Sequence, residues 1–389
     1  MNSVLRQCSA RQVIFHVIFD LEFYHLEPNM KSSKTVVTIT GIRPDFIRMK
    51  EVFRRLDENF THIMIHTGQH YDDSLSQFFF RDLNIRKPDY TMETGLNSTT
   101  HYEQLSYLSK EICYLLRREK IRPDLIMFLG DSNSAMVAPV LFKEGYRIGH
   151  IEGGMRSYDR RMPEEVNRVL CDYVSDMIFV YTPLYKDRLL KENIPQERVY
   201  VVGNTITEII RDLHPVGVQG KNYIVADIHR SENLKSYEQL NHILTFLDQL
   251  GEKTHLPVKL VKFNRAQKII AEHDLLEGKK HIEVVGPYGF LDYLKLQYHC
   301  AFEVSDSGTS QEECPLLGIP VVVPRKATER PESVENGNSI LIGEDRPVDD
   351  MVSDTLNFVN TYKITPQKLA WLGTGQTSET IINILKEKL

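Results

Sequence analysis

From residue 35 onward the chain repeats one unit: a short apolar run, a polar turn, then an amphipathic stretch of helical length. The apolar runs are TVVTIT (35–40), THIMIH (61–66), LIMFLG (125–130), RIGHIE (147–152), MIFVYT (177–182) and VYVVG (199–203). Helical patterning lies between them, at 44–58, 100–119, 132–144, 163–175 and 183–192. Strands that alternate with helices are joined by crossovers, and crossovers give a parallel sheet covered on both faces. A second series starts at YIVAD (223–227) and runs through VKLVKF (258–263), HIEVVG (281–286), AFEVSD (301–306) and PVVVP (320–324). Between the series, DLHPVGVQGKN (212–222) has Pro, Gly and Asn without periodicity and reads as a linker. The expected organisation is an N-terminal extension at 1–33, a doubly wound Rossmann-like domain at 34–212, a second at 213–365, and C-terminal helices at 366–389. Ligands of such α/β sheets bind outside the carboxyl ends of the strands, so the cleft between the domains is the expected site.

The N-terminal run VIFHVIFDLEFYHL is broken by His16, Asp20 and Glu22 and lacks a small-residue cleavage site. Neither a membrane span nor a signal peptide is expected there. Met30-Lys31-Ser32-Ser33-Lys34 reads like a natural start before the first strand. A net charge of −6 argues against a nucleic-acid-binding surface. The five cysteines (8, 113, 171, 300, 314) are odd in number and have no CxxC spacing. That pattern favours reduced thiols in the cytoplasm and no zinc site.

Residues that bear chemistry gather at the strand ends. The stretch His150 to Arg168 sets Glu152, Asp159, Glu164, Glu165, Arg156, Arg160, Arg161 and Arg168 around a Gly-Gly pair. A carboxylate there can exchange protons and an arginine can grip an anion; a solvated loop leading into a salt-bridged helix is the simpler alternative. The first strand ends in Gly41-Ile42-Arg43-Pro44-Asp45, where Arg43 can meet a phosphate. Asp131 follows the LIMFL strand, where it can also serve as a helix cap, and Glu164 follows Pro163, where a helix dipole accounts for it. Yet Asp131, Glu152 and Glu164 at neighbouring strand ends converge on one cleft, and clustered acids push their proton affinities apart. In the second half, His229 and Arg230 follow a strand and suit a phosphate. Ser307, Gly308 and Thr309 open a helix with their N–H groups, an anion site, and Glu313 one turn on can accept from a ribose diol. Tyr293 can stack on a base.

Taken together, GIRPD, TGQH, GDSNS, HIEGGMRS, MPEEVNR, VVGNT, HRSEN, DSGTSQEECP and TERPE resemble, in order, the non-hydrolysing UDP-N-acetylglucosamine 2-epimerases, from about residue 35 to the C-terminus. The resemblance implies the two-domain GT-B architecture, a UDP-binding second domain, and terminal helices that pack back on the first domain. It implies inversion at C2 by loss and re-addition of UDP through a 2-acetamidoglucal, in a homodimer. No NAD or metal is implied, in keeping with the absence of GxGxxG and of metal-ligand spacing. It assigns catalysis to Asp131, Glu152, Glu164 and His229, and UDP contacts to Arg43, Arg168, Tyr293, Ser307, Gly308, Thr309 and Glu313.

The chain departs from the family pattern in places. Arg48 replaces a lysine, Thr309 replaces the second glycine of SGG, and VKFNR (261–265) replaces a Pro-x-His segment. Tyr71-Asp72-Asp73 follows TGQH where bacterial enzymes carry an arginine near a regulatory substrate site, so allosteric activation by UDP-GlcNAc is not expected. QHYDDSLSQFF with RSYDRRMPEE and HRSEN resembles a branch acting on modified sugars, which includes epimerases for UDP-2-acetamido-2,6-dideoxy-L-hexoses and for diacetamido uronates. No positively charged residue is uniquely placed to read a C6 carboxylate, so the 6-deoxy-L-sugar is expected over the uronate, with UDP-GlcNAc/UDP-ManNAc as the default. The alternatives are a hydrolysing 2-epimerase, a GT-B glycosyltransferase with a UDP-sugar donor, and a nucleotide-sugar-binding protein without catalysis.

Overall fold

A computed structural model describes residues 33–68, 80, 83–98, 100–158, 162–213 and 220–389, with the Arg43 side chain also outside it. The N-terminal extension, the segment after TGQH and the arginines at 160 and 161 therefore lie outside the described residues.

The first sheet has seven parallel strands: β1 (Thr35–Thr40), β2 (Thr61–His66), β3 (Tyr90–Thr91), β4 (Leu125–Leu129), β5 (Ile148–Ile151), β6 (Met177–Val180) and β7 (Val199–Val201). Their order is β3-β2-β1-β4-β5-β6-β7. The second sheet has six: β8 (Ile224–Asp227), β9 (Val258–Val261), β10 (Ile282–Val285), β11 (Glu303–Ser305), β12 (Val321–Val323) and β13 (Ser339–Leu341), in the order β10-β9-β8-β11-β12-β13. Both are parallel throughout. The central strands read as unbroken apolar runs because helices cover both faces; every residue of β4 is buried.

Strand order reverses between β1 and β4, and again between β8 and β11. A reversal opens a crevice at the carboxyl ends, since the connections leave toward opposite faces. The residues singled out after β1, β4, β5, β8 and β11 sit at those ends.

Helices α1 (Arg43–Asn59) and α2 (Pro163–Val174) line the cleft; α3 (Thr205–Leu213), α4 (Ser310–Leu316), α5 (Pro331–Glu335) and α6 (Thr377–Lys388) follow later in the chain. One buried apolar cluster joins the halves: Val52 and Leu56 of α1, Ile206 and Ile209 of α3, Cys314 of α4, Val321 of β12, and Ile381, Ile382 and Leu385 of α6. Ser378 at the start of α6 donates its N–H to Glu208 Oε1 (3.1 Å) and its hydroxyl to the same oxygen (3.1 Å). Gly373 has φ 82°, and a Cβ there would lie 2.9 Å from the Gly203 Cα, so glycine permits the returning chain to cross the first.

Two strands were not expected from the sequence. Each is short: β3 has two residues and β13 three. The helix expected over 132–144 divides into a tight 3-10 turn, Asn133–Val137, and a helix, Ala138–Lys143. Pro139 has no N–H to give to the carbonyl of Ala135, so a continuous α-helix loses a rung there. Among the described residues, no helix is long and apolar enough to cross a membrane.

Candidate active site

A cavity of about 550 Å³ lies between the carboxyl ends of the two sheets. Asp131, Glu152, Glu164 and Arg168 line it from the first half; His229, Ser307, Gly308 and Thr309 line it from the second. Tyr293 and Glu313 do not reach it.

Glu152 takes a left-handed backbone conformation, φ 73°. A non-glycine residue there costs on the order of 1–3 kcal/mol and persists only where its surroundings enforce it. Its N–H is tied to the Phe179 carbonyl (3.1 Å), and Gly153 and Gly154 follow with no room for a side chain: a Cβ on Gly153 would lie 2.2 Å from Ile178. Asp172 supports this turn, accepting from the Gly154 N–H (3.1 Å), pairing with Arg156 (2.8 Å) and hydrogen-bonding buried His150 (2.7 Å). The other His150 nitrogen meets the Gly130 carbonyl (2.8 Å), which links the Asp131 and Glu152 turns.

Arginines interleave with these acids. Arg168 pairs with Asp131 and lies 3.9 Å from Glu152 and 3.8 Å from Glu165. Its guanidinium faces carboxylates of its own half, whereas the sequence reading gave it an anionic ligand. Arg48 Nη1 donates to Glu152 Oε2 (3.2 Å) and Nη2 to Glu312 of α4. Arg330 returns the link, 3.2 Å from Glu312 and 3.6 Å from Glu152. Tyr185 donates to Glu332 (2.9 Å) at the same junction. Asp45 adds a fourth carboxyl to the first-half lining; burial raises it to about 7, with Asp131 and Glu152 adding to the rise, against hydrogen bonds from the Gly41 and Ile42 N–H groups. Glu164 stands in the first turn of α2, half-buried, with no ion-pair partner among the described residues.

On the opposite wall, Asp306 shapes the loop after β8. It accepts from the N–H groups of His229 (3.0 Å) and Arg230 (3.0 Å) and from Asn233 (2.9 Å). His229 Nδ1 is 2.8 Å from Asp227 and 3.4 Å from Asp306. Burial works against charge on this ring, but Asp227 and then Asp306 outweigh it and lift the imidazole to about 9. The protonated ring is therefore the cation that this acid pair faces.

Ser307, Gly308 and Thr309 precede α4, but the Ser307 N–H turns inward to the Ser305 hydroxyl (3.0 Å), and its own hydroxyl meets that of Thr309 (3.0 Å). Gly308 lies under Arg330: a Cβ would be 2.3 Å from its Nη1. Tyr293 points behind the wall, donating to Glu303 (2.7 Å) with Asp227 3.3 Å away. Its hydroxyl has polar partners inside the domain, which a base-stacking position does not supply. Glu313 is buried beside them and raised to about 7 by that burial, with Arg48 opposing. Sequence reading passed over Arg330, Glu312 and Asp45; Arg330 lay inside the quoted TERPE motif.

A cleft lined by interleaved acids and cations between the carboxyl ends of two parallel sheets defines an enzyme of GT-B architecture. The family described as UDP-N-acetylglucosamine 2-epimerase matches residues 54–386, and the chain belongs to this family of isomerases. It is 34% identical over 367 residues to the UDP-N-acetylglucosamine 2-epimerase of Methanococcus maripaludis, covering 89% of this chain and 97% of that one. A UDP-2,3-diacetamido-2,3-dideoxy-D-glucuronate 2-epimerase of Pseudomonas aeruginosa is 31% identical over 363 residues, covering 90% and 99%. The crystal structure of the Methanocaldococcus jannaschii UDP-GlcNAc 2-epimerase in complex with UDP-GlcNAc and UDP superposes with a TM-score of 0.81 at 32% identity, covering 91% and 99%.

Proposed function

We propose that the protein inverts C2 of a UDP-N-acetylhexosamine without hydrolysis, with UDP-GlcNAc as the first substrate to test. The observation that carries this is the cavity's lining: Asp131, Glu152 and Glu164, held by Arg48 and Arg168, come from the first half, and His229, Arg330 and the Ser307–Thr309 turn, beside Asp227 and Glu329, come from the second. The diphosphate lies against His229, Arg330 and the turn, and the sugar ring against Asp131, Glu152 and Glu164.

UDP leaves as the C1–O bond breaks, its electron pair staying on the diphosphate oxygen. The C2–H bond supplies the electrons of the new C1=C2 bond, and its proton passes to a wall carboxylate. Return of a proton to the opposite face of C2 and re-addition of UDP complete the inversion. Two faces require two proton carriers, and Glu152 and Glu164 come from different elements, the end of β5 and the start of α2. Arg168 keeps Asp131 in place rather than gripping the ligand. Arg48 and Arg330 bridge the halves at Glu152 and Glu312, which favours a closed cleft that excludes water from the glycal.

The names of the relatives favour UDP-GlcNAc, while the Pseudomonas relative supports testing modified sugars, including the 6-deoxy-L-hexosamine nucleotide. Incubation with each donor in deuterated water, followed by NMR at C2, decides. Deuterium at C2 of intact UDP-sugar is expected; free UDP with free sugar sinks the proposal in favour of hydrolysis. The described cysteines 113, 171, 300 and 314 are free thiols, which supports a cytoplasmic setting. Val166, Leu170 and Tyr173 of α2 form an exposed apolar stripe (38%, 39% and 52% exposed) on the helix that carries Glu164. That stripe supports a homodimer through α2, checked by light scattering of the wild type against Leu170→Glu.

A further inference from the structure

His229 is reached from four sides. Asp227 of β8 lies at Nδ1, Asp306 beyond β11 lies 3.4 Å from the same nitrogen, and Arg230 follows in the chain with Glu329 3.8 Å from its guanidinium. The uncharged Phe263 ring packs at 4.9 Å from the loop after β9. Among the described residues Nε2 takes no hydrogen bond, and His229 lines the cavity. Behind Asp227 runs a buried chain of polar groups. Tyr293 OH lies 3.3 Å from Asp227 and 2.7 Å from Glu303, and Glu303 also accepts from Gln297 (2.9 Å), Ser310 (2.9 Å) and Cys314 (2.7 Å).

We propose that Asp227 is a positioning residue: it fixes His229 by Nδ1 so that Nε2–H is aimed at the departing diphosphate, and Tyr293 holds Asp227 from behind. The proposal rests on the reading of the cavity as a UDP-sugar site. A carboxylate on one imidazole nitrogen sets the ring's orientation and makes the other nitrogen the outward donor. The Tyr293 hydroxyl has one proton for two carboxylates. Its shorter bond goes to Glu303 (2.7 Å) and its longer one to Asp227 (3.3 Å), so Tyr293 ties Asp227 to a buried acid that Gln297, Ser310 and Cys314 also hold. No proton transfer from His229 is required: the Nε2–H bond strengthens as charge develops on the diphosphate oxygen and weakens when UDP returns.

The test has two readouts on the full chain. Histidine-labelled protein is titrated by NMR from about pH 5.5 to 10, and the pH dependence of kcat/KM is measured with the donor that exchanges at C2. In the wild type the His229 midpoint is expected near 9. In Asp227→Asn it falls toward the ordinary histidine value, about 6.5, and kcat/KM at pH 8 falls roughly 30-fold while the loss at pH 6 stays within a few-fold. A purely structural role predicts equal losses at both pH values. Tyr293→Phe, which removes only the hydroxyl, is expected to lower the midpoint by less than about one unit. An unchanged midpoint in Asp227→Asn, or a pH-independent loss of activity with either variant, overturns the proposal. If the wild type exchanges no deuterium with any donor, the functional reading fails separately, and the titration still decides whether Asp227 controls His229.

Discussion

The two walls of the cleft solve opposite problems. The first-half wall crowds carboxylates together and neutralises them with arginines, Arg168 on Asp131 and Arg48 and Arg330 on Glu152. The second-half wall presents His229 and Arg330 with Asp227 and Glu329 beside them, and keeps Asp306 and Glu303 buried behind. On the proposed reaction, the first-half acids serve the carbon that exchanges its proton and the second-half cations serve the departing negative charge. The difference predicts that the two walls fail in different ways when mutated.

Glu152→Gln gives the largest effect expected. Exchange at C2 should fall by about 10²–10⁴-fold, the range for losing a general acid or base, with UDP affinity within a few-fold by calorimetry. A matching loss of UDP affinity would erase the distinction between the walls. Gly308→Ala strikes the other wall. Its Cβ meets Arg330 at 2.3 Å, and Arg330 is pinned between Glu312 and Glu152. UDP affinity should drop roughly tenfold or more and folding stability by about 1–3 kcal/mol, the usual result of overpacking. Thr309→Gly sharpens the comparison, because it restores the wider backbone approach without touching an acid. UDP affinity should change by only a few-fold, and C2 exchange by the same factor.

The smallest expected readout lies in stability. Glu329 is buried, which opposes its charge, but Arg230, Arg325 and Arg330 hold it down to about 2. An acid with a lowered folded value contributes stability above its unfolded value, near 4.5, and loses it as pH falls through about 2. Glu329→Gln should therefore lower Tm at pH 7 and converge on the wild type toward pH 2; a constant difference across that range would refute the pairing.

The sequence made the strands legible because both-face burial leaves uninterrupted apolar runs, and it brought Asp131, Glu152 and His229 to one cavity because each follows such a run, with Glu164 joining them from the first turn of α2. It could not show partners that only folding brings together. Arg48 and Glu312 are 264 residues apart, and nothing local marks either as the other's counter-ion. Tyr293 and Glu313 look like ligand contacts by chemistry, yet Glu303, a fully buried acid in β11, draws the Tyr293 hydroxyl inward. A buried acid in AFEVSD is itself the clue: it demands donors, and the nearby Tyr, Gln, Ser and Cys supply them.

Helix α6 returns from the second half to lie on α1 and α3, anchored by Ser378 on Glu208. The polypeptide therefore passes between the halves twice, once after α3 and once before α6. Trimming α6 uncovers Ile206 and Ile209 and removes the Ser378–Glu208 anchor, so the second crossing loses its hold on the first half.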